Sequence, residues 1–240
     1  MVIAVIFAGG VGSRMHSKDI PKQFLIIHGE PIIVHTVRHF QEHPYVDSIV
    51  VVSNADWLEY CRNLLQDYGM DKVSAVVAGG PTGQESIYHG LCAAESIAGP
   101  SRAIVLVHDG VRPLIDQDTI TRNIESVEEY GSAITCVPAK ETVLVRGTSG
   151  DIESIPNRSS LSLARAPQSF WLDELLNAHR NAIEKGRLDY IDSASMMFDR
   201  GTKLKLVEGP SENIKVTTPD DFFSLQAILN ARENQQIYGQ

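Results

Sequence analysis

A doubly wound α/β fold with a mostly parallel sheet is predicted by three observations. Four short runs, Val2–Phe7, Ser48–Ser53, Val73–Val77 and Ala103–Val107, are dominated by Val, Ile and Ala, as strands buried on both faces are. The segments between them carry apolar residues at helical spacing, so strand and helix alternate through the first half of the chain, which implies parallel pairing with right-handed crossovers. The glycine-rich and charged stretches stand directly after these runs, where an open α/β sheet gathers its ligand contacts.

The first run leads into Ala8-Gly9-Gly10-Val11-Gly12-Ser13, followed by the cations Arg14 and Lys22. Glycines let backbone N–H groups crowd a ligand, because no Cβ blocks close approach. Oriented amides and cations together make a polyphosphate site. Pro31–Phe40 reads as a helix with Ile33, Val34, Val37 and Phe40 on one face. The second strand, Ser48–Ser53, precedes a helix over Asp56–Tyr68. The third, Val73–Val77, runs into Ala78-Gly79-Gly80 and a helix at Gln84–Ile97 with Ile87, Leu91 and Ala94 on one face. The fourth, Ala103–Val107, ends in His108-Asp109-Gly110-Val111-Arg112-Pro113.

The pattern then changes. Asp118–Glu129 is helical through Ile120, Ile124 and Val127, but Ala133–Val145 reads as a strand interrupted at Pro138. Ile152–Gln168 has no periodic element, and roughly 138–166 is expected to leave the sheet. Helix resumes at Leu172–Glu184 and around Asp192–Phe198. Strands at Lys203–Leu206 and Asn213–Val216 precede a last helix, Asp220–Arg232, with Thr218 or Asp220 as its cap and Pro219 near its first turn. No repeat or linker divides the chain, so one domain over 1–240 is expected.

A net charge of −9 argues against a surface that coats nucleic acid and requires Lys and Arg to be concentrated wherever an anion binds. Three cysteines without a C-x-x-C pair indicate neither a disulfide framework nor a zinc site, in keeping with a reducing compartment; Cys92 falls in an apolar helical pattern and is expected in the core. No stretch has the length of a membrane span, and no basic region precedes the first apolar run. A cytoplasmic protein without membrane or nucleic-acid partners is expected.

Three kinds of phosphate loop compete for the first glycine turn. A Walker A loop ends in Gly-Lys-Ser/Thr, a triplet this chain lacks. A dinucleotide fingerprint counted from Gly10 puts Met15 in its last place, and the second strand ends Val52-Ser53-Asn54 without the acidic residue that holds ribose. Ala8-Gly9-Gly10-x-Gly12-x-Arg14-Met15 followed by Pro21-Lys22-Gln23-Phe24 resembles instead the cytidylyltransferases that act on methylerythritol phosphate and ribitol phosphate. The resemblance runs in order from Ala4 to Asn213–Asp221.

It implies a Rossmann-like nucleotidyltransferase fold with a protruding β-arm that exchanges with a second subunit, hence a homodimer. It implies CTP and a polyol phosphate as substrates, Mg²⁺ as cofactor, and Arg14, Lys22 and Lys215 as catalytic cations. Ala8, Gly9, Gly10, Gly12, Gly79 and Ser86 correspond to nucleotide-binding positions. Asp109, Arg112, Thr142 and Arg158 correspond to acceptor-binding positions, with Thr142 reaching across the dimer. Asp109 is also a possible ligand of a metal or of its bound water; His108 reads as a structural histidine. Three positions depart from the family: Gly83 replaces a usual arginine, and Ala166 and Ile191 replace threonines near the acceptor.

The first glycine motif and Ile155-Pro156-Asn157-Arg158 lean towards ribitol 5-phosphate as acceptor, and so towards CDP-ribitol for cell-surface polymers. Pro138-Ala139-Lys140-Glu141-Thr142 leans towards methylerythritol phosphate and isoprenoid synthesis. Two other classes compete. An NAD-dependent oxidoreductase would use a similar glycine turn but not the added cations. A catalytically dead nucleotide-binding protein would not need Arg14, Asp109 and both lysines together.

Overall fold

The computed structural model describes residues 1–9 and 20–238. Its main sheet comprises β1 (Val2–Ala8), β4 (Ser48–Ser53), β5 (Val73–Ala78), β6 (Ile104–Asp109), β7 (Ser132–Pro138), β10 (Ser162–Trp171) and β11 (Leu206–Glu208). The strand order is β11-β7-β10-β6-β1-β4-β5. Pairing is parallel from β6 through β5 and between β11 and β7, whereas β10 runs antiparallel to both its neighbours. Two short ribbons lie outside this sheet, β2 (Ile26–Ile27) with β3 (Glu30–Pro31) and β8 (Val145–Arg146) with β9 (Ile152–Ser154).

The apolar runs form strands because both sheet faces are covered. In β1, Ala4 and Ile6 point into a core filled by α1 (Ile32–Gln41), α2 (Leu58–Asp67) and α4 (Gln117–Tyr130). The alternate residues Ile3 and Val5 face a second core built by α3 (Gly83–Ala98), α5 (Leu172–Glu184) and α6 (Ser193–Asp199). The last helix, α7 (Pro219–Tyr238), closes a third cluster in which Leu225 meets Ile32, Val111 and Val216. Cys92 packs at the edge of the second core, half-buried. Among the described residues no helix is long and apolar enough to cross a membrane.

Helix α3 approaches the sheet closely at Gly90. A Cβ there would stand 2.5 Å from Val5 Cγ1 and 2.8 Å from Val52 Cγ2. Gly90→Ala is therefore expected to destabilise the protein by about 1–3 kcal/mol through overpacking. An unchanged urea midpoint would show that α3 can lift away from the sheet freely.

The elements through α4 follow the sequence reading to within a few residues at each end. The second half departs from it in three places. Ile152–Gln168 was expected to be irregular, yet β10 begins at Ser162 and occupies the middle of the sheet. A proline argues against a central strand because it cannot donate to the ladder. Here the Ala166–Pro167 bond is cis, and the register against β7 shifts between Ala164 and Gln168, so Pro167 falls where the ladder is already interrupted. The excursion from the sheet thus covers about 139–161, and the expected Ala133–Val145 strand stops at Pro138. Asn213–Val216 is not a strand: it crosses the carboxyl edge of the sheet, where the Val216 N–H donates to the Val111 carbonyl at 2.9 Å. The strand expected at Lys203–Leu206 lies slightly later, as β11 on the sheet's edge.

Candidate active site

The strand order reverses at β1, whose two neighbours, β4 and β6, are reached by crossovers in opposite directions. At such a switch point the loops beyond the carboxyl ends splay apart and leave a crevice. Two groups of side chains gather there.

The first surrounds the end of β1. Gln23 is buried and donates from Nε2 to the Ala8 carbonyl at 2.5 Å, which anchors the short 3₁₀ turn Lys22–Phe24 against the strand end. Phe24 is seated between Trp57 and Tyr60. Half-buried Lys22 is thus placed by the packing of its two neighbours. Gly9 and Gly79 converge on Ser86: a Cβ would lie 3.6 Å from Ser86 Oγ at Gly9 and 2.7 Å at Gly79. Ser86 is buried, accepts from the Gly80 N–H at 3.2 Å and donates to the Thr82 carbonyl at 2.9 Å. Thr82 caps α3, accepting from the Glu85 N–H at 3.1 Å. Three expected nucleotide-binding residues, Gly9, Gly79 and Ser86, therefore stand together, with Ala8 directly before Gly9 at the end of β1. Gly10, Gly12 and Arg14 lie outside the described residues.

The second group is charged and starts at the end of β6. Asp109 is buried and pairs in register with Phe7 of β1. Its Oδ2 accepts from Arg112 Nε at 2.7 Å and its Oδ1 lies 2.6 Å from Lys215 Nζ. Burial alone would raise the Asp109 carboxyl, but the charges of Arg112 and Lys215 outweigh it and hold the pKa at about 2. Arg112 also donates from NH1 to the Asn213 carbonyl at 2.9 Å, and Asn213 Nδ2 donates to the Ala166 carbonyl at 2.7 Å. These bonds tie the 213–217 segment to β6 and β10. The Lys215 side chain is 40% exposed, and its Nζ stands 5.8 Å from the Phe7 ring centroid. Lys215, expected on a strand, is carried on a loop and paired with Asp109, with its outer side open to solvent. His108 is fully buried; its Nε2 meets the Arg112 carbonyl at 3.2 Å, and burial pushes its pKa down to about 3, so it stays neutral.

Asp109, Arg112 and Lys215 line one cavity of about 290 Å³ together with Phe7 and Arg165. The three departures from the family pattern, Gly83, Ala166 and Ile191, line the same cavity. Gly83 thus stands beside the two positions expected near the acceptor. Thr142 and Arg158 do not line it: both are exposed on the excursion, where Arg158 NH1 donates to the Lys140 carbonyl at 3.0 Å.

Four supporting residues escaped the sequence reading. Gln23 fixes the Lys22 turn, and Asn213 fixes the Lys215 segment. Gln168 donates to Asp192 Oδ2 at 2.9 Å and accepts from the Ala194 N–H at 2.8 Å, which sets the wall that carries Ile191. Arg165 enters the cavity from β10. Each is a polar residue in an apolar or proline-broken run, a signal that a pattern search for strands passes over.

The described residues do not build a cage for a divalent cation. They contain no group of three potential His, Cys, Asp or Glu ligands, and both oxygens of Asp109 already face cations. A direct metal-ligand role for Asp109 does not fit this arrangement.

A family model described as IspD, 2-C-methyl-D-erythritol 4-phosphate cytidylyltransferase, matches residues 2–231. The chain belongs to the IspD family. A ribitol-5-phosphate cytidylyltransferase of Streptococcus agalactiae is 54% identical over 239 residues, covering 100% of this chain and 99% of the relative. A 2-C-methyl-D-erythritol 4-phosphate cytidylyltransferase of Clostridium acetobutylicum is 37% identical over 237 residues, covering 98% and 100%. Among solved structures, the 4-diphosphocytidyl-2C-methyl-D-erythritol synthase of Anaerococcus prevotii superposes with a TM-score of 0.82 at 25% identity, covering 95% of this chain and 96% of that one. Like the other members of the IspD family, the chain is a nucleotidyltransferase, and its sheet with the crevice at β1 is the fold they share.

Proposed function

We propose that the protein transfers CMP from CTP to D-ribitol 5-phosphate, giving CDP-ribitol and pyrophosphate. The observation that carries this reading is the difference in likeness: 54% identity along the full chain to a ribitol-5-phosphate enzyme against 37% to a methylerythritol-phosphate one. Methylerythritol 4-phosphate is the second reading, favoured by the description of the family model.

In the proposed step an oxygen of the acceptor's phosphate forms a bond to the α-phosphorus of CTP, the bond from that phosphorus to the bridging oxygen breaks, and pyrophosphate leaves opposite. A phosphate monoester has its second pKa near ~6, so the nucleophile is already largely dianionic at neutral pH and no general base is needed. All three reacting groups are anionic, so the protein must supply positive charge already in position. Lys215 is assigned to the α-phosphate: Asp109 fixes its ammonium from one side, and its exposed side remains for the substrate. Arg14 and Lys22 are assigned to the triphosphate and leaving group, and Ala8, Gly9, Gly10, Gly12, Gly79 and Ser86 to the nucleoside. Arg112 and Asp109 orient the acceptor. Mg²⁺ belongs to this reading as the Mg–CTP complex, held by phosphate oxygens and water rather than by a carboxylate cage.

The excursion is proposed as a dimerisation arm, with Thr142 and Arg158 delivered to the neighbouring subunit's acceptor site. Exposed Leu144, Ile152 and Ile155 on it give a second copy of the chain an apolar surface to cover. The enzyme would work in the cytoplasm, supplying CDP-ribitol for cell-surface polymers. Mass spectrometry of a reaction containing CTP, Mg²⁺ and D-ribitol 5-phosphate is expected to detect CDP-ribitol. Unchanged CTP after prolonged incubation with this acceptor would overturn the assignment.

A further inference from the structure

We propose that Arg165 binds the phosphate of the polyol acceptor and that it sets the cavity's preference for a phosphorylated polyol. This rests on reading the cavity as the acceptor site of a cytidylyltransferase. Of the described charged side chains lining the cavity, every one but Arg165 has a charged or hydrogen-bonded partner. Asp109 is shared between Arg112 and Lys215, and Arg112 also donates from NH1 to the Asn213 carbonyl. Asp192 caps α6 through Oδ1, which accepts from the Ser195 N–H at 2.8 Å, and receives Gln168 on Oδ2. Arg165 has no carboxylate partner among the described residues, and its Nε is buried with nothing to donate to.

A half-buried guanidinium with an orphaned donor is costly unless an anion completes it. Its fork geometry matches two oxygens of a phosphate. Burial and the nearby charge of Arg112 both press its pKa downward, as expected for a cation held ready beside another cation. Among the described residues, the surrounding walls leave the space clear. Ala166 presents only a methyl group, Ile191 is 93% exposed, and a Cβ built on Gly83 would meet nothing within 4 Å. The polar contacts missing at these three positions are thereby replaced by one cation from β10.

The test is steady-state pyrophosphate release by the wild type, Arg165→Ala and Arg165→Lys, varying D-ribitol 5-phosphate at saturating CTP and then CTP at saturating acceptor. Loss of a charge-assisted phosphate contact predicts a KM for the acceptor raised about 10–100-fold in Arg165→Ala, with the KM for CTP within about twofold. Arg165→Lys, which keeps the charge but not the fork, should fall between. An unchanged acceptor KM in Arg165→Ala, or a rise confined to the KM for CTP, overturns the role of Arg165 alone. A wild type that turns over no polyol phosphate overturns the cytidylyltransferase reading of the cavity and this role with it. Circular dichroism and the CTP dependence of the variants report whether they have folded.

Discussion

Lys215→Ala is expected to lower turnover by about 10²–10³-fold, the usual loss when one preorganised electrostatic donor is removed. The fold should survive. Lys215 is partly solvated, and its backbone segment is held independently by Arg112, Asn213 and the Val216–Val111 hydrogen bond. The deletion also leaves Asp109 paired with Arg112 rather than bare. Lys22→Ala should behave alike, because Gln23 and Phe24 anchor its turn. Single-turnover rates with saturating CTP and acceptor, alongside a thermal melt, separate the two effects. Near-normal rates in either variant would remove that lysine from the charge-stabilising set.

Asp109→Ala should act in the opposite way, on stability first. It strips the carboxylate from Arg112, a guanidinium that is itself buried, and frees Lys215 from its restraint. Removing one partner of a buried pair typically costs about 3–5 kcal/mol, because the survivor is left uncompensated. The sign of the pH dependence follows from the depressed carboxyl. With a folded pKa of about 2 and an unfolded one near ~3.9, the ionised pair contributes its full stabilisation above pH ~4 and loses it as pH falls through about 2. The stability gap between wild type and variant should therefore be level from neutral pH to ~4 and narrow below that. His108 adds a separate trend. Its pKa is pushed down to about 3 by burial, so the unfolded chain takes up a proton first, and stability declines as pH drops from ~6.5 towards 3. Urea midpoints across this range check both trends. A gap that closes already between pH 7 and 5 would mean that Asp109 is not held by its two cations.

The first half of the fold was legible because buried parallel strands leave uninterrupted runs of Val and Ile, and each is followed by an amphipathic helix. Leu172–Glu184 was legible for the same reason, to the residue. The strand β10 was not, since Pro167 and Arg165 break its apolar pattern: the first sits where the ladder shifts, and the second serves the cavity. The Asn213–Val216 segment alternates apolar and polar residues as a strand does, but its backbone meets Val111 and the Arg112 side chain rather than a strand ladder. In the site, glycines and charges after strand ends pointed to Gly9, Gly79, Asp109 and Arg112, and the resemblance added Ser86 and Lys215. What supports them was hidden, because Gln23, Asn213 and Gln168 act through one or two side-chain hydrogen bonds each, which have no sequence period. Thr142 and Arg158 came from resemblance alone and stay apart from the cavity within one chain.

The measurement that bears most directly on the central claim is pyrophosphate release from CTP and Mg²⁺ with D-ribitol 5-phosphate and methylerythritol 4-phosphate assayed side by side. The account predicts turnover with ribitol 5-phosphate and a far lower kcat/KM with methylerythritol 4-phosphate. Turnover with methylerythritol 4-phosphate alone would contradict it and move the protein to the isoprenoid branch of its family.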